Sequence, residues 1–80
     1  MIYVYLLEST SYPGKRYIGM TTDLQKRLRE HNSGHSPYTV KYAPWQIVVA
    51  LRFVNERRAE SFEKYLKSGS GHAFAKRHFW

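Results

Sequence analysis

The chain contains no cysteine and few acidic residues, and each shortage narrows what the protein can be. Without cysteine, neither a disulfide nor a thiolate-bound metal can stabilise its 80 residues. Thirteen lysines and arginines outnumber six aspartates and glutamates, which gives a formal net charge of +7. Such a positive field on a small domain favours a polyanionic partner, and nucleic acid is the commonest one.

Long hydrophobic runs are also missing. No apolar segment approaches the ~18 residues that a membrane span requires. The first residues, MIYVYLL, have neither a basic flank nor a cleavage site of small residues, so they do not read as a signal peptide. We therefore expect a single domain over residues 1–80, located in the cytoplasm and not associated with a membrane.

The first part of the chain predicts a hairpin. Ile2–Leu7 and Lys15–Ile18 are rich in β-branched and aromatic residues, as strands are. Between them, Pro13 followed by Gly14 has the residue order of a type II turn. Gly19 is expected to end the second strand, at a point where the backbone turns or is closely approached.

A helix is predicted next. Thr22 and Gln25 have the spacing of a capping box, and the apolar periodicity continues to about Asn32, with Gly34 as the stop signal. Residues 33–44 are polar and bounded by proline, so they predict a loop.

The second half of the chain predicts one strand and two helices. Residues 45–53 form a nearly continuous apolar run, which is typical of a strand covered on both faces. Asn55 is placed to cap a long helix over residues 56–67, the SGSG segment at 68–71 ends it, and residues 72–80 predict a short basic helix. The order is ββαβαα, which indicates an α+β domain with a small, mainly antiparallel sheet.

Polar residues interrupt the apolar stripe of the first helix. With Leu24 at zero, Leu28 lies at about 40°, His31 at about −20° and Arg27 at about −60° around the helix axis. A histidine and an arginine are thus turned toward the apolar side. Each has a structural explanation as well, because arginine can extend along an apolar edge and histidine suits a helix C-terminus.

The later helix shows the same irregularity with the opposite charge. Ala59, Phe62 and Leu66 form its apolar stripe, and Glu63 falls among them. An inward carboxylate is costly unless a cation or hydrogen bonds compensate it. Glu63 therefore either forms a structural salt bridge, with Arg27 for example, or belongs to a functional site.

Two tyrosines complete the set of candidates. If the first two strands pair, Tyr5 and Tyr17 lie near one another, and two phenols, an arginine, a histidine and a glutamate converge. Tyrosines in strands are often packing residues with the hydroxyl at the rim, so this constellation is only moderately specific.

These residues carry a family resemblance. Tyr3-Val4-Tyr5 and Tyr17-Ile18-Gly19, followed by Arg27, Glu30-His31 and the spacing of Ala59, Glu63 and Lys67, resemble the motifs of GIY-YIG nuclease domains over nearly the whole chain. By size the chain is most similar to small bacterial members, which are often likened to the excision-repair incision subunit or to Slx1-type nucleases. Two positions depart from the pattern: Tyr3 replaces the first glycine, and no asparagine follows the glutamate helix.

The resemblance implies a three-stranded antiparallel sheet flanked by helices and a metal-dependent endonuclease that acts on DNA in repair or processing. It implies that Glu63 binds Mg²⁺ or Mn²⁺, that Arg27 holds a phosphate oxygen, and that Tyr5 or Tyr17 takes the proton from the attacking water. We favour Tyr5 as this base and Tyr17 as the positioning group, with His31 as a proton relay or an orienting group.

Basic residues outside this set are candidates for holding the nucleic-acid backbone, although ordinary surface charge explains each one taken singly. They are Lys15, Arg16, Lys41, Lys67, Lys76 and Arg77. The DNA is expected to be branched or single-stranded, and 80 residues leave no room for an added targeting module, so a protein partner is expected to supply target choice. The alternatives are a non-catalytic nucleic-acid-binding module of the same fold and an adaptor that docks an acidic protein.

Overall fold

Three antiparallel strands form the centre of the fold in the computed structural model, which describes residues 1–34 and 36–80. The strands are β1 (Ile2–Ser9), β2 (Arg16–Thr21) and β3 (Trp45–Phe53), and they lie in the order β2-β1-β3. Because β1 is central, it pairs with both neighbours, whereas β2 and β3 are edges. The α+β class and the antiparallel sheet are as the sequence predicts.

Helices pack on both faces of this sheet. The helices are α1 (Leu24–Ser33), a short α2 (Pro37–Lys41), α3 (Glu56–Leu66) and α4 (Gly69–His78). No helix among the described residues is long and apolar enough to cross a bilayer.

Alternation along β1 divides the core into two layers. Val4 and Leu6 point to one face, where Ala59 and Leu66 of α3 pack against them. Tyr5 and Leu7 point to the other face, where Leu24 and Leu28 of α1 and Trp45 of β3 cover them. The helix that carries Arg27 and the helix that carries Glu63 therefore lie on opposite faces of the sheet.

Gly19 lies inside β2, so the prediction that it ends the strand is wrong. The register pairs Tyr5 with Gly19, and the strand continues to Thr21. The predicted close approach is present: a Cβ at Gly19 would lie 2.6 Å from the phenol oxygen of Tyr5. The ring of Tyr5 therefore occupies the space that a side chain at position 19 would need.

The cap of α1 also differs from the prediction. Asp23 is the N-cap residue, and its carboxylate accepts a hydrogen bond from the backbone N–H of Lys26 at 3.1 Å. Thr22 and Gln25 therefore do not form the predicted capping box, because a carboxylate one residue later already binds the free N–H groups. The end of the helix is as predicted, with Gly34 in the left-handed region at φ 99°.

Two further predictions need correction. The predicted loop over residues 33–44 contains α2, which begins at Pro37, a residue suited to a first helical turn; the loop also includes position 35, which lies outside the described residues. β3 is not covered on both faces, because Gln46, Val48 and Ala50 are exposed. An apolar run alone does not distinguish a central strand from an edge strand whose aliphatic residues face solvent.

The final helix begins earlier than predicted. Ser68 caps α4, its hydroxyl accepting from the N–H of Gly71, so the SGSG segment starts this helix as well as ending α3. Gly71 is required there because a Cβ would collide with the carbonyl of Tyr65.

Candidate active site

The site is built around a buried hydrogen bond between a strand and a helix. The phenol oxygen of Tyr5 and Nε2 of His31 are 2.9 Å apart, and the two residues are 2% and 1% exposed. Burial, with the nearby charge of Arg27, lowers the pKa of His31 to about 4, so its imidazole is neutral near pH 7. An inward histidine in the stripe of α1 is therefore a neutral partner of a phenol.

The other ring nitrogen of His31 indicates which tautomer is present. Nδ1 is buried and has no hydrogen-bond partner among the described residues. A buried N–H without an acceptor is rarer than an unpaired acceptor. We therefore assign the proton to Nε2, which donates to the oxygen of Tyr5.

Arg27 joins this pair from the edge of α1. Its guanidinium donates to Glu30 at 2.8 Å and lies close enough to the phenol of Tyr5 to interact with it electrostatically. These interactions raise the pKa of Arg27, so it is cationic at every accessible pH. Because its side chain remains about one-third exposed at 34%, the guanidinium is held in place yet open to a ligand.

Burial raises the pKa of Tyr5, although the nearby guanidinium of Arg27 opposes the shift. A buried phenol with a raised pKa is poorly suited to accept a proton from water. Tyr17 is the more accessible of the two, with its ring centroid 6.3 Å from that of Tyr5 and 4.6 Å from that of His31. The geometry therefore favours Tyr17 as the phenol that meets solvent.

We refer to Tyr5, Tyr17, Arg27, Glu30 and His31 together as the polar cluster. Beside it is an open hollow of about 290 Å³. The hollow is lined by Thr21, Thr22, Asp23, Lys26, Arg27 and Glu30. Since Thr21 ends β2, this opening lies at the β2 edge of the sheet.

The opposite flank of α1 is closed. The side-chain carbonyl of Asn32 accepts from the backbone N–H of Trp45 at 2.6 Å, and its amide donates to the carbonyl of Trp45 at 3.4 Å. These bonds pin one flank of α1 to β3. Arg27 and Glu30, on the other flank, consequently face the β2 side.

Glu63 lies across the sheet from the polar cluster. Its carboxylate is 15% exposed and forms an ion pair with Lys67 on the next turn, not with Arg27. On α3, Phe62 packs against Phe53 of β3, and Ala59 and Leu66 lie over β1. Glu63 is rotated by about 100° from Phe62, past the β1 stripe, which turns it toward β2.

The structure therefore brings four predicted site residues into contact and places the fifth on the other face, turned to the same edge. Tyr5, Tyr17, Arg27 and His31 form the first group. A site that uses all five residues must extend around the β2 edge, from one face of the sheet to the other. Their catalytic roles remain predictions.

The six predicted backbone contacts occupy separate places. Lys15 and Lys41 lie against the ring of Tyr42, at 5.1 Å and 5.5 Å from its centroid. Arg16 stacks on Trp80 at 4.5 Å and pairs with Glu8. Lys67 pairs with Glu63, while Lys76 and Arg77 are exposed in the last turn of α4.

Glu30 is the site residue whose role the sequence analysis missed. It matched the motif, but helix rotation placed it away from the apolar stripe, and no partner was assigned. The available signal was its position three residues after Arg27, which is a favourable spacing for an ion pair on a helix.

A divalent cation fits this chain only as a largely hydrated ion. The described residues contain no group of three or more histidine, cysteine, aspartate or glutamate side chains able to hold a metal. Glu63 offers one carboxylate whose present partner, Lys67, is flexible and 55% exposed. Mg²⁺ accepts such a site because it keeps several waters and needs few protein ligands.

The fold and the motif residues together define a class. The family model described as "GIY-YIG catalytic domain" matches residues 1–77, and the chain belongs to the GIY-YIG family.

Its relatives include small bacterial proteins and a subunit of a eukaryotic enzyme. A UPF0213 protein of Streptococcus pneumoniae is 41% identical over 66 residues, which cover 81% of this chain and 65% of the relative. The structure-specific endonuclease subunit SLX1 homolog of Drosophila mojavensis is 41% identical over 69 residues, 75% of this chain and 23% of that protein. The chain thus spans less than two thirds of the length of either relative.

A solved structure shows the same fold. The solution NMR structure of the UPF0213 protein BH0048 from Bacillus halodurans superposes with a TM-score of 0.56 at 31% identity. The match covers 96% of this chain and 84% of that one. The ββαβαα arrangement is therefore shared with a structurally determined relative.

Proposed function

We propose that the protein is an endonuclease that hydrolyses phosphodiester bonds of DNA with the help of a divalent cation, in DNA repair or processing. The observation that carries the proposal is the guanidinium of Arg27, oriented by Glu30 and Tyr5 and open to solvent at the β2 edge. The family match and the structure-specific endonuclease relatives support it.

Arg27 is proposed to bind a non-bridging oxygen of the scissile phosphate. Its planar donors match phosphate geometry, and its ion pair with Glu30, beside the phenol of Tyr5, orients the side chain before substrate arrives. Lys26, beside it in the hollow, adds positive charge.

The tyrosines are proposed to divide their work differently from the sequence-based preference. Tyr17, at the accessible rim, positions the attacking water and, as the phenolate, takes its proton while the water oxygen bonds to phosphorus and the leaving oxygen departs. Tyr5, buried with a raised pKa, holds Arg27 and His31 in place. His31 is an orienting group in this scheme, because its Nδ1 has no hydrogen-bond partner among the described residues to which a proton could pass.

Glu63 is proposed to hold Mg²⁺ or Mn²⁺ after releasing Lys67. When bound, the cation would neutralise charge on the phosphate and its leaving oxygen. Lys67, once released, lies one helical turn away and is free to contact the backbone of the nucleic acid.

The test is metal-dependent nicking of plasmid, flap, junction and single-stranded DNA. We expect Arg27→Ala and Glu63→Gln each to slow cleavage by about 100-fold or more, because each removes a group that stabilises developing charge. EDTA should abolish cleavage by the wild-type protein.

Matched controls separate these effects from loss of charge alone. Arg29→Ala removes a cation from the exposed side of α1, and Glu60→Gln removes an exposed carboxylate from α3. Both should cleave at the wild-type rate. Equal cleavage by all five proteins would exclude the assigned site.

A non-catalytic nucleic-acid-binding module is the second candidate. The Glu63–Lys67 ion pair favours it, because it gives the carboxylate a structural partner that needs no metal. This candidate predicts salt-sensitive DNA binding that persists in Glu63→Gln, with no cleavage of any substrate in the panel.

A further inference from the structure

A second opening lies on the flank of α3 that faces away from Glu63. It has a volume of about 570 Å³ and runs between the end of β3 and α3. We call it the α3 groove, and its lining residues are Phe53, Asn55, Arg57, Arg58, Ser61, Phe62 and Tyr65. Aromatic rings and arginines thus share one open concavity.

In the described part of the chain, the positive charge of the α3 groove has no ion-pair partner. Its lining contains two arginines and no acidic residue. Neither Arg57 nor Arg58 has an ion pair among the described residues, unlike Arg16, Arg27 and Lys67. Two adjacent guanidinium groups without counter-charge favour an anionic ligand, and their planar donors suit phosphates.

The aromatic rings of the groove pack against one another. Tyr65 is 40% exposed, yet its ring is held by Phe62 and Phe74, with centroids 6.2 Å and 6.0 Å away. Phe62 in turn packs against Phe53 at 5.7 Å. A ring fixed on one side and open on the other can receive a flat ligand at little entropic cost.

We infer that the α3 groove binds single-stranded nucleic acid, with a base stacked on Tyr65 and phosphates at Arg57 and Arg58. Stacking on Tyr65 requires a base whose face is not already covered in a duplex, so a single strand fits better than a double helix. This inference deepens the proposed nuclease function and rests on it for the choice of a nucleic acid over another polyanion.

The position of the groove gives it a role distinct from cleavage. Glu63 and the α3 groove lie on opposite flanks of one helix, roughly a helix diameter of about 10 Å apart. A strand held in the groove consequently lies on the β3 side of α3 and leaves the β2 edge free. The expected substrate has an unpaired arm next to the bond that is cut.

The experiment measures fluorescence anisotropy of a short fluorescein-labelled oligodeoxythymidine in EDTA, so that cleavage cannot interfere. We expect Tyr65→Leu to weaken binding about ten-fold and Tyr65→Phe to leave it unchanged. Arg58→Ala should weaken binding and reduce the slope of log K against log salt by about 0.7, the value for one phosphate contact on a single strand. Arg29→Ala is the control for general loss of charge and should retain the wild-type affinity.

Four results would overturn the inference, provided that circular dichroism shows each variant folded. The first is wild-type affinity in both Tyr65→Leu and Arg58→Ala. The second is a loss of affinity in Arg29→Ala equal to that in Arg58→Ala, and the third is an equal loss of affinity by the groove variants for a blunt duplex. Competition by a polyglutamate peptide that needs the same residues and binds more tightly would assign the groove to an acidic protein and also overturn it.

The outcome is separable from that of the nuclease assay. If the wild-type protein cleaves nothing while oligodeoxythymidine binding depends on Tyr65 and Arg58, the nuclease proposal fails and the groove remains. If the wild-type protein cleaves DNA while Tyr65→Leu and Arg58→Ala bind oligodeoxythymidine normally, the groove inference fails and the nuclease proposal remains.

Discussion

At the scale of single residues, the polar cluster shows how a small core accommodates polar groups. Tyr5 and His31 are almost fully buried, and one hydrogen bond joins the phenol to Nε2 of the imidazole. The charge of Arg27 stays at the boundary, where Glu30 and solvent compensate it. Neutral groups lie inside and charged groups at the edge, which avoids the cost of a buried ion.

Gly19→Ala tests the close approach between β2 and Tyr5. The added methyl group would meet the phenol of Tyr5 at 2.6–2.8 Å and the ring of Tyr17 at 3.0 Å. Because Tyr5 is held by His31, we expect a loss of about 1–3 kcal/mol in the free energy of unfolding, measured with urea. Gly69→Ala, where no atom lies within 4 Å, is the control and should not destabilise the protein. Equal stability of the two variants would contradict the packing described.

His31 should make the stability depend on pH. Its folded pKa of about 4 is below the ordinary 6.5, so the unfolded chain binds more protons between these values. The stabilisation is complete above pH 6.5 and is lost as the pH falls toward 4, by up to about 3 kcal/mol.

The measurement for His31 is urea unfolding at a series of pH values. His31→Gln should be less stable at neutral pH and show a flatter acid limb. His72→Gln, at an exposed position, should follow the wild-type profile. An unchanged acid limb in His31→Gln would mean that another group controls the acid sensitivity.

At the scale of elements, α1 is the part that positions the cluster, and both of its ends are fixed by side chains. Asp23 caps its start, and Asn32 bonds its last turn to Trp45. The helix is short at ten residues, a length that is marginal without such contacts. The orientation of Arg27 and His31 therefore depends on residues outside the cluster.

The cap of α1 can be tested by paired substitutions. We expect Asp23→Ala to cost about 1 kcal/mol, and Thr22→Ala to cost less than about 0.5 kcal/mol, because only Asp23 accepts a hydrogen bond from the first turn. For a domain of this size the first loss corresponds to a fall of about 4–8 °C in Tm. A larger loss of stability in Thr22→Ala than in Asp23→Ala would instead support the capping box that the sequence predicted.

Local pattern predicted much of this arrangement. The helical periodicity predicted that His31 faces inward, and the predicted pairing of the first two strands placed Tyr5 near Tyr17, as the structure shows. What it did not predict depends on contacts between distant segments. The bonds of Asn32 to Trp45 and the exposure of β3 follow from tertiary packing, and the pairing of Glu63 with Lys67 was one of several choices open to a carboxylate on a basic chain.

At the scale of the whole molecule, the positive charge is distributed rather than concentrated. The cations that contribute to the +7 charge lie against the rings of Tyr42 and Trp80, in the α3 groove and in the last turn of α4. A ligand that neutralises several of them must be long as well as anionic. A short anion such as free phosphate is expected to bind weakly.

The salt dependence of the affinity for DNA measures how many phosphates of the ligand the protein contacts. We expect log K for a DNA flap substrate to fall linearly with log salt, with a slope between about −3 and −6 if four to six phosphates are contacted. Filter binding or anisotropy over a range of NaCl concentrations gives the slope. A slope near zero would exclude the backbone as the main source of affinity.

The order β2-β1-β3 also determines the direction from which the cluster can be reached. Trp45, bonded to Asn32, closes the gap between α1 and β3, while Tyr17 and Arg27 stand at the free margin of β2. Entry is one-sided because of strand order. A polymer chain can thus slide in sideways along that margin, and it does not have to thread through a closed opening.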